Sequence, residues 1–231
     1  MADASKDLAK VIASATGGKP GLFAQGDGAE HAVRVWDAVS YKEVGAYPHG
    51  SGVTSVAYNP SGTELALIGF SDAAAKGDDP AKRRQETVQV VNATTLARKF
   101  AFVAPGGDSV GYTPDGMWIV THKAGLPVRF WDPGNGRESN QLGIGPIVSA
   151  IGFAPNGKTA YCGFSGGSFY PIAVHDLRTG KSLGMWGGRE WKIPALTVDP
   201  GGRQLAVATA DAGVMVWDLA RGQPVYSARL G

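Results

Sequence analysis

The chain has 231 residues and a formal net charge of +2, from 22 Lys and Arg against 20 Asp and Glu. This near balance argues against nucleic-acid binding, which needs Lys and Arg clustered on one surface. Apolar residues make up 43% of the sequence, but no apolar run is long enough to cross a bilayer, so we expect no membrane partner. The single Cys162 excludes an internal disulfide, and the polar first twenty residues predict a cytoplasmic protein without a signal peptide.

Residues 8–30 admit two interpretations. Residues 8–14 and 21–26 can be aligned with later segments as two short strands joined by a turn. The spacing of Leu8, Val11 and Ile12 also fits one face of a short amphipathic helix. We favour the two strands, because they supply the first repeat with the strands that it otherwise lacks.

Five stretches of the chain end on nearly the same five residues. Counted at the fourth position of each, they lie 55, 40, 44 and 42 residues apart. A period of about 40–45 residues that carries a Trp-Asp pair is typical of β-propellers, in which each repeat forms one four-stranded blade. The five tails are Val33-Arg-Val-Trp-Asp37, Val88-Gln-Val-Val-Asn92, Val128-Arg-Phe-Trp-Asp132, Ile172-Ala-Val-His-Asp176 and Val214-Met-Val-Trp-Asp218.

A tight turn precedes four of these tails. Proline fixes φ at the first corner of such a turn, and glycine accepts the positive φ that follows. Apolar residues flank each turn, so each repeat is predicted to contain two strands around the turn, a third strand ending in the tail, and a weaker outer strand. The turns are Asn59-Pro-Ser-Gly62, Thr113-Pro-Asp-Gly116, Ala154-Pro-Asn-Gly157 and Asp199-Pro-Gly-Gly202.

Together, the tails and turns resemble those of the WD-repeat family of β-propellers over roughly residues 8–231. The resemblance implies an all-β propeller of about five four-stranded antiparallel blades, arranged as a small ring or an open arc. It also implies a single domain over residues 1–231, with blades at roughly 8–50, 51–105, 106–145, 146–188 and 189–231. The structural positions of the repeat would be Trp36, Asp37, Trp131, Asp132, His175, Asp176, Trp217 and Asp218.

Members of this family are scaffolds with many partners, so the resemblance implies a non-catalytic protein that binds another protein through one face of the propeller. The loops that break the repetition are the insertion at 71–86, the aromatic loop at 164–171 and the segment at 186–191, which has the composition of an interface hot spot. The predicted partner-binding residues are Trp186, Arg189, Trp191, Phe164, Phe169, Tyr170, His122, Lys123, Lys82, Arg83 and Arg84. Two simpler interpretations stay open: the charge-balanced insertion is a solvated loop, and one Trp fills a gap between blades.

Catalysis finds little support in the sequence. The tail carboxylates recur with the repeat, which indicates that they accept backbone hydrogen bonds in turns. Of the other acids, Asp108, Glu190 and Asp199 could approach the propeller axis, but two of them lie at opposite ends of one inner strand. No two His residues have metal-ligand spacing, so we expect no enzyme activity, no metal and no cofactor.

Two alternative functions stay open. The aromatic loops could stack on a sugar ring, as in a carbohydrate-binding or glycoside-hydrolase-like propeller. The chain could instead be a fragment or subunit that completes a larger ring, or it could associate with itself. The end blades of an open arc need a polar cap, and none is evident in the sequence.

Overall fold

The computed structural model describes residues 11–14, 22–27, 32–37, 39–49, 52–71, 85–164, 172–187, 192–211 and 213–229. Within these ranges the chain contains nineteen strands and no helix, so the expected all-β class is confirmed. The strands are β1 (Val11–Ser14), β2 (Leu22–Asp27), β3 (Ala32–Asp37), β4 (Glu43–Pro48), β5 (Val53–Tyr58), β6 (Glu64–Ser71), β7 (Gln85–Asn92), β8 (Arg98–Val103), β9 (Ser109–Tyr112), β10 (Ile119–His122), β11 (Leu126–Trp131), β12 (Glu138–Phe153), β13 (Thr159–Phe164), β14 (Ile172–Asp176), β15 (Ser182–Trp186), β16 (Ala195–Val198), β17 (Gln204–Ala208), β18 (Gly213–Asp218) and β19 (Gln223–Arg229).

The strands form four antiparallel sheets, which we name A to D. Sheet A contains β1–β4, sheet B contains β5–β8 and sheet D contains β16–β19, each in chain order. Sheet C has seven strands, from β9 to β15, also in chain order. Each sheet is therefore a meander, in which every strand pairs with the next one along the chain.

Sheet C differs from the predicted separation of a third and a fourth blade. The predicted boundary, at residues 145 and 146, falls inside β12, which runs without a break over Glu138–Phe153. The Ile and Val residues of this segment favour an extended chain. One long strand therefore stands where two shorter strands in separate sheets were expected.

The interpretation of the N-terminal region as strands is confirmed for the residues that the structure describes. β1 pairs antiparallel with β2, with Val11 opposite Gly26 and Ser14 opposite Phe23. The helical alternative is wrong over Val11–Ser14. The predicted insertion at 71–86 is shorter than expected, because Ser71 ends β6 and β7 begins at Gln85.

The four Pro-x-Gly turns form as predicted. Their glycines have φ values of +68°, +72°, +68° and +65° at Gly62, Gly116, Gly157 and Gly202. In three of them the glycine N–H donates to the carbonyl three residues earlier, at 2.9 Å. These turns align the first two strands of each repeat, because a tight turn sets the register of the hairpin that it closes.

The chain divides into two compact units. The first comprises residues 1–112, 116–122 and 131–137, and the second comprises residues 113–115, 123–130 and 138–231. In the first unit β5 contacts both β1 and β9, and in the second unit β16 contacts β12. The single domain expected from the sequence stays a prediction.

Each sheet packs against its neighbours in the chain through alternate residues. Along β6, Leu65 and Leu67 pack against sheet A, while Ala66 and Ile68 pack against residues of β9 and β10. We call the face that packs against the preceding sheet the backward face, and the face that packs against the following sheet the forward face. Because neighbouring side chains point to opposite faces of a sheet, a strand covered on both faces needs a continuous apolar run.

Candidate functional site

The tail residues build the same turn five times. We call these segments the closing turns, at residues 37–42, 92–97, 132–137, 176–181 and 218–223. In each, the Oδ1 atom of the tail Asp or Asn accepts a hydrogen bond from the backbone N–H two residues further on, at 2.7–3.0 Å. The acceptors are Asp37, Asn92, Asp132, Asp176 and Asp218. The prediction that the periodic carboxylates accept backbone hydrogen bonds in turns is confirmed.

These hydrogen bonds also lower the pKa of two of the carboxyl groups. The backbone N–H of Ser40 is the main cause that lowers the pKa of Asp37. The hydroxyl of Thr179 is the main cause that lowers the pKa of Asp176. Donors aimed at a carboxylate favour its ionised form, so both groups are held as acceptors for the turn.

The tail Trp residues of sheets C and D pack against the preceding sheet. Trp131 is 4% exposed, and its indole N–H donates to the hydroxyl of Thr121 at 2.9 Å. Its ring lies 4.9 Å from that of Phe102 on the preceding outer strand. Trp217 is likewise buried, whereas Trp36, the equivalent residue of sheet A, is only half-buried.

His175 replaces Trp at the tail of the fourth repeat. The side chain is half-buried, and desolvation lowers its pKa more strongly than a hydrogen bond to the backbone of Gly180 raises it. Desolvation therefore favours the neutral form of the imidazole. A neutral ring fits a position where the other repeats carry Trp or Val.

Trp186, at the end of β15, is partly buried and packs against the core that sheets C and D share. Its ring centroid lies 5.9 Å from that of Trp217 and 5.7 Å from that of Tyr161. A Cβ at Gly222 would lie 3.0 Å from the indole, so the closing turn of sheet D also packs closely against it. This placement favours the interpretation in which one Trp of the 186–191 segment fills a gap between sheets.

Three other predicted binding residues lie at strand ends. His122 ends β10, Lys123 follows it, and Phe164 ends β13. All three are half-buried. The carbonyl of His122 accepts the N–H of Asp108 at 3.2 Å, and that of Phe164 accepts the N–H of Ile193 at 3.1 Å. Their backbones therefore anchor neighbouring segments.

Most of the predicted partner-binding set lies outside the described residues. This applies to Lys82, Arg83, Arg84, Phe169, Tyr170, Arg189 and Trp191. Their role in binding stays a prediction.

A surface pocket of about 370 Å³ lies on sheet D, and we call it the sheet D pocket. The hydroxyl of Thr209 donates to Asp211 Oδ1 at 2.5 Å, and Arg229 Nη2 donates to Asp211 Oδ2 at 3.1 Å. Met215 and Ala228 add apolar surface beside this charged pair. The lining residues are Thr209, Asp211, Gly213, Met215, Ser227, Ala228 and Arg229.

Hydrogen bonds and charge favour the ionised form of Asp211 in the sheet D pocket. The hydroxyl of Thr209 is the main cause that lowers the pKa of Asp211, and the Arg229 charge adds to it. The pocket thus presents a carboxylate and a guanidinium, whose side chains are 52% and 81% exposed. Such an exposed pair contributes little to stability, because water screens it, so both groups can exchange partners at low cost.

The sheet D pocket shows what the sequence reasoning missed. Thr209 and Asp211 lie between β17 and β18, near one end of sheet D, whereas Trp217 lies at the far end of β18, stacked on Trp186. Arg229 was not predicted as a partner of Asp211, because eighteen residues separate the two in the sequence. The pairing of Gly213 with Arg229 across the last hairpin brings the two charges together. Predicting the contact between Asp211 and Arg229 would have required the strand register of that hairpin.

Asp199 lies in a turn, and Cys162 lies in the interior of the protein. Backbone N–H groups of the turn at 199–204 lower the pKa of Asp199, that of Gln204 foremost, so this acid serves the turn. Cys162 is buried, and desolvation raises the pKa of its thiol to about 12. Nowhere in the described ranges do three His, Cys, Asp or Glu side chains gather as metal ligands. None of the described segments forms a helix that could span a membrane.

Comparison with known proteins adds no relative. No protein-family model matches the chain, and no curated protein is significantly similar to it.

Proposed function

We propose that this chain is a β-propeller of the WD-repeat type that acts as a non-catalytic scaffold and binds a protein partner. The repeated closing turn is the main support for the propeller. In five successive repeats, an Asp or Asn caps the same turn and leads into an outer strand. Consecutive sheets also pack face to face through their first strands within each unit, as blades of a propeller do.

Each repeat is uniform at one end of its sheet and variable at the other. Because successive strands are antiparallel, the Pro-x-Gly turns and the closing turns share one end, which we call the turn end. The connections β6–β7, β10–β11, β13–β14 and β17–β18 lie at the opposite end, which we call the loop end. These connections differ in length and composition, and a rigid scaffold with variable loops is the usual arrangement for binding.

The sheet D pocket lies at the loop end, and its charged residues indicate the chemistry of the partner that we propose. Asp211 follows β17 and Arg229 ends β19, so both charges reach the same end of the sheet. A peptide segment with a carboxylate for Arg229 and an amine or guanidinium for Asp211 would match this pair. The partner we propose is therefore a protein that presents adjacent charges of opposite sign.

The proposal is tested by quantitative affinity capture with the tagged chain from an extract of the source organism, followed by calorimetry with the purified partner. We expect Arg229→Ala to weaken binding at least about tenfold, because a charged group of the partner then loses its hydrogen bonds. The matched control is Arg178→Ala, which removes an exposed Arg from the turn end of the same unit. It should leave affinity unchanged.

An equal loss of affinity in the Arg178 and Arg229 variants would contradict binding through the loop end. Saturable quenching of Trp fluorescence by a sugar, without any protein partner, would support the carbohydrate-binding alternative instead. Trp186, one of the aromatics on which that alternative depends, is packed against Trp217. The cytoplasmic location stays a prediction from the sequence.

A further inference from the structure

The forward face of sheet D is uncovered. Residue pairing places one alternate set of residues from all four strands on this face, opposite Leu205, Val207 and Trp217, which pack backward. None of the set is buried, and Tyr226 is 58% exposed. The set comprises Ala195, Thr197, Ala206, Ala208, Val214, Val216, Tyr226 and Ala228.

The equivalent residues of the other sheets are buried. On sheet B, Ala66, Ile68, Val88 and Val90 are each 0% exposed. The forward residues of sheet A (Val33, Val35, Tyr47) and of the β12–β14 part of sheet C (Tyr161, Ile172, Val174) are also buried. Sheet D thus repeats the pattern of small and β-branched residues that elsewhere binds another sheet.

The covering group is the same in each described interface. A forward face is covered by the tail residue and the closing turn of the next sheet. Phe102 of sheet B contacts Trp131 and would collide with a side chain at Gly136, and Leu96 of sheet B lies against Gly45 of sheet A. By analogy, we expect a tail aromatic residue and the closing turn that follows it to cover the forward face of sheet D.

Sheet A presents such a group. Trp36 is half-buried, whereas Trp131 and Trp217 are buried to within 4% and 3% exposure. In the closing turn of sheet A, Val39 and Tyr41 are 80% and 78% exposed. Tyr41 occupies the position of Leu96 in sheet B, the residue that elsewhere covers a forward face.

We propose that two copies of this chain associate head to tail, with sheet A of one copy covering the forward face of sheet D of the other. The interface continues the sheet-to-sheet packing already present three times within the chain. It is heterologous, because the two contributing surfaces differ, so a third copy can add in the same way unless the arrangement closes. This surface lies on the flank of sheet D, not at its loop end, and so goes beyond the proposed scaffold function.

The first test is mass by light scattering and sedimentation across a range of protein concentrations. We expect species heavier than a monomer, and we expect Tyr226→Glu to raise the dissociation constant at least about tenfold, because it places a charge in an apolar interface. The control is Met185→Glu. Met185 is 55% exposed on the outer strand β15 and pairs with Ala173, so it lies away from the proposed surface. Circular dichroism and urea midpoints should show both variants folded.

The second test uses single cysteines, since native Cys162 is buried and will react slowly. Tyr226 lies opposite Val216 as Gly45 lies opposite Val35, so a Tyr226→Cys copy and a Tyr41→Cys copy should join through a short thiol cross-linker when mixed. A wild-type chain that stays monomeric at all concentrations would overturn the proposal. So would cross-linking of Tyr226→Cys only with itself, efficient cross-linking within a monomeric double variant, or equal disruption by Met185→Glu.

Discussion

The closing turns of sheets A and B carry a large side chain at a backbone position where the other three closing turns carry glycine. Four residues after each tail Asp or Asn, the backbone adopts a positive φ: +56° at Tyr41, +55° at Leu96, +71° at Gly136, +70° at Gly180 and +62° at Gly222. This region suits glycine, because a Cβ there approaches the following carbonyl. Two repeats therefore accept a strained side chain in a turn that three repeats build with glycine.

The difference follows from the outer strand that each turn meets. Phe102 stands against the turn at Gly136, where a Cβ would lie 2.4 Å from its ring. Leu96 instead meets Gly45, where a Cβ would lie 2.9 Å from Leu96 Cδ1. In each of these two interfaces, a large side chain on one sheet therefore packs against a glycine on the other. The backbone of the closing turn is the same in both, but the large side chain lies in the closing turn in one interface and on the outer strand in the other.

The largest expected effect comes from placing bulk on both sides. Gly136→Ala adds a Cβ at positive φ and drives it into Phe102. We expect a loss of about 2–4 kcal/mol in the free energy of unfolding, the sum of the backbone strain and the overpacking. Urea denaturation followed by circular dichroism measures it.

The matched control is Gly125→Ala. Gly125 has a φ of +85°, but no atom lies within 4 Å of the Cβ it would gain. It should lose only about 1 kcal/mol, from the backbone strain alone. If Gly125→Ala and Gly136→Ala cost the same, packing against Phe102 does not explain the choice of glycine.

A smaller effect of opposite sign is expected at Tyr41. Tyr41→Gly removes the strain of a positive φ, and the side chain is too exposed to lose much packing. We expect a gain of about 0.5–1 kcal/mol in dilute protein, where association does not contribute. Leu96→Gly should instead destabilise, because Leu96 packs against the cluster shared by sheets A and B. A gain in both variants would show that Leu96 contributes nothing through packing.

How far the sequence predicts each feature depends on how local its cause is. The turn at residues 59–62 was predictable, because Pro60 and Gly62 restrict their own backbone angles. The positive φ of Leu96 was not, since the residue that compensates for it, Gly45, lies fifty-one positions earlier. The packing of Trp186 against Trp217 and the pairing of Asp211 with Arg229 likewise depend on register and on contacts between sheets. The repeat could therefore be predicted from the sequence, but the contacts between neighbouring sheets could not.

The smallest expected effect is in the acid stability of the fourth closing turn. Hydrogen bonds lower the pKa of Asp176 in the folded chain, so its contribution is complete above the unfolded pKa of about 4 and is lost as the pH falls through the folded pKa. Asp176→Asn should be slightly less stable than wild type at pH 7, because a neutral amide accepts the N–H groups of Arg178 and Thr179 more weakly. It should also lose less stability on acidification, since Asn92 already performs this role in sheet B without a titratable group.

Urea midpoints at pH 7 and at several values below pH 4 measure the difference between wild type and Asp176→Asn. Thr179→Ala provides an intermediate case, because the Thr179 hydroxyl is the main cause of the pKa shift while the backbone donors remain. The order of acid loss should be wild type, then Thr179→Ala, then Asp176→Asn. Equal acid loss in all three would mean that the turn is held by its backbone hydrogen bonds alone, and that the Asp and Asn versions of the closing turn are interchangeable at every pH.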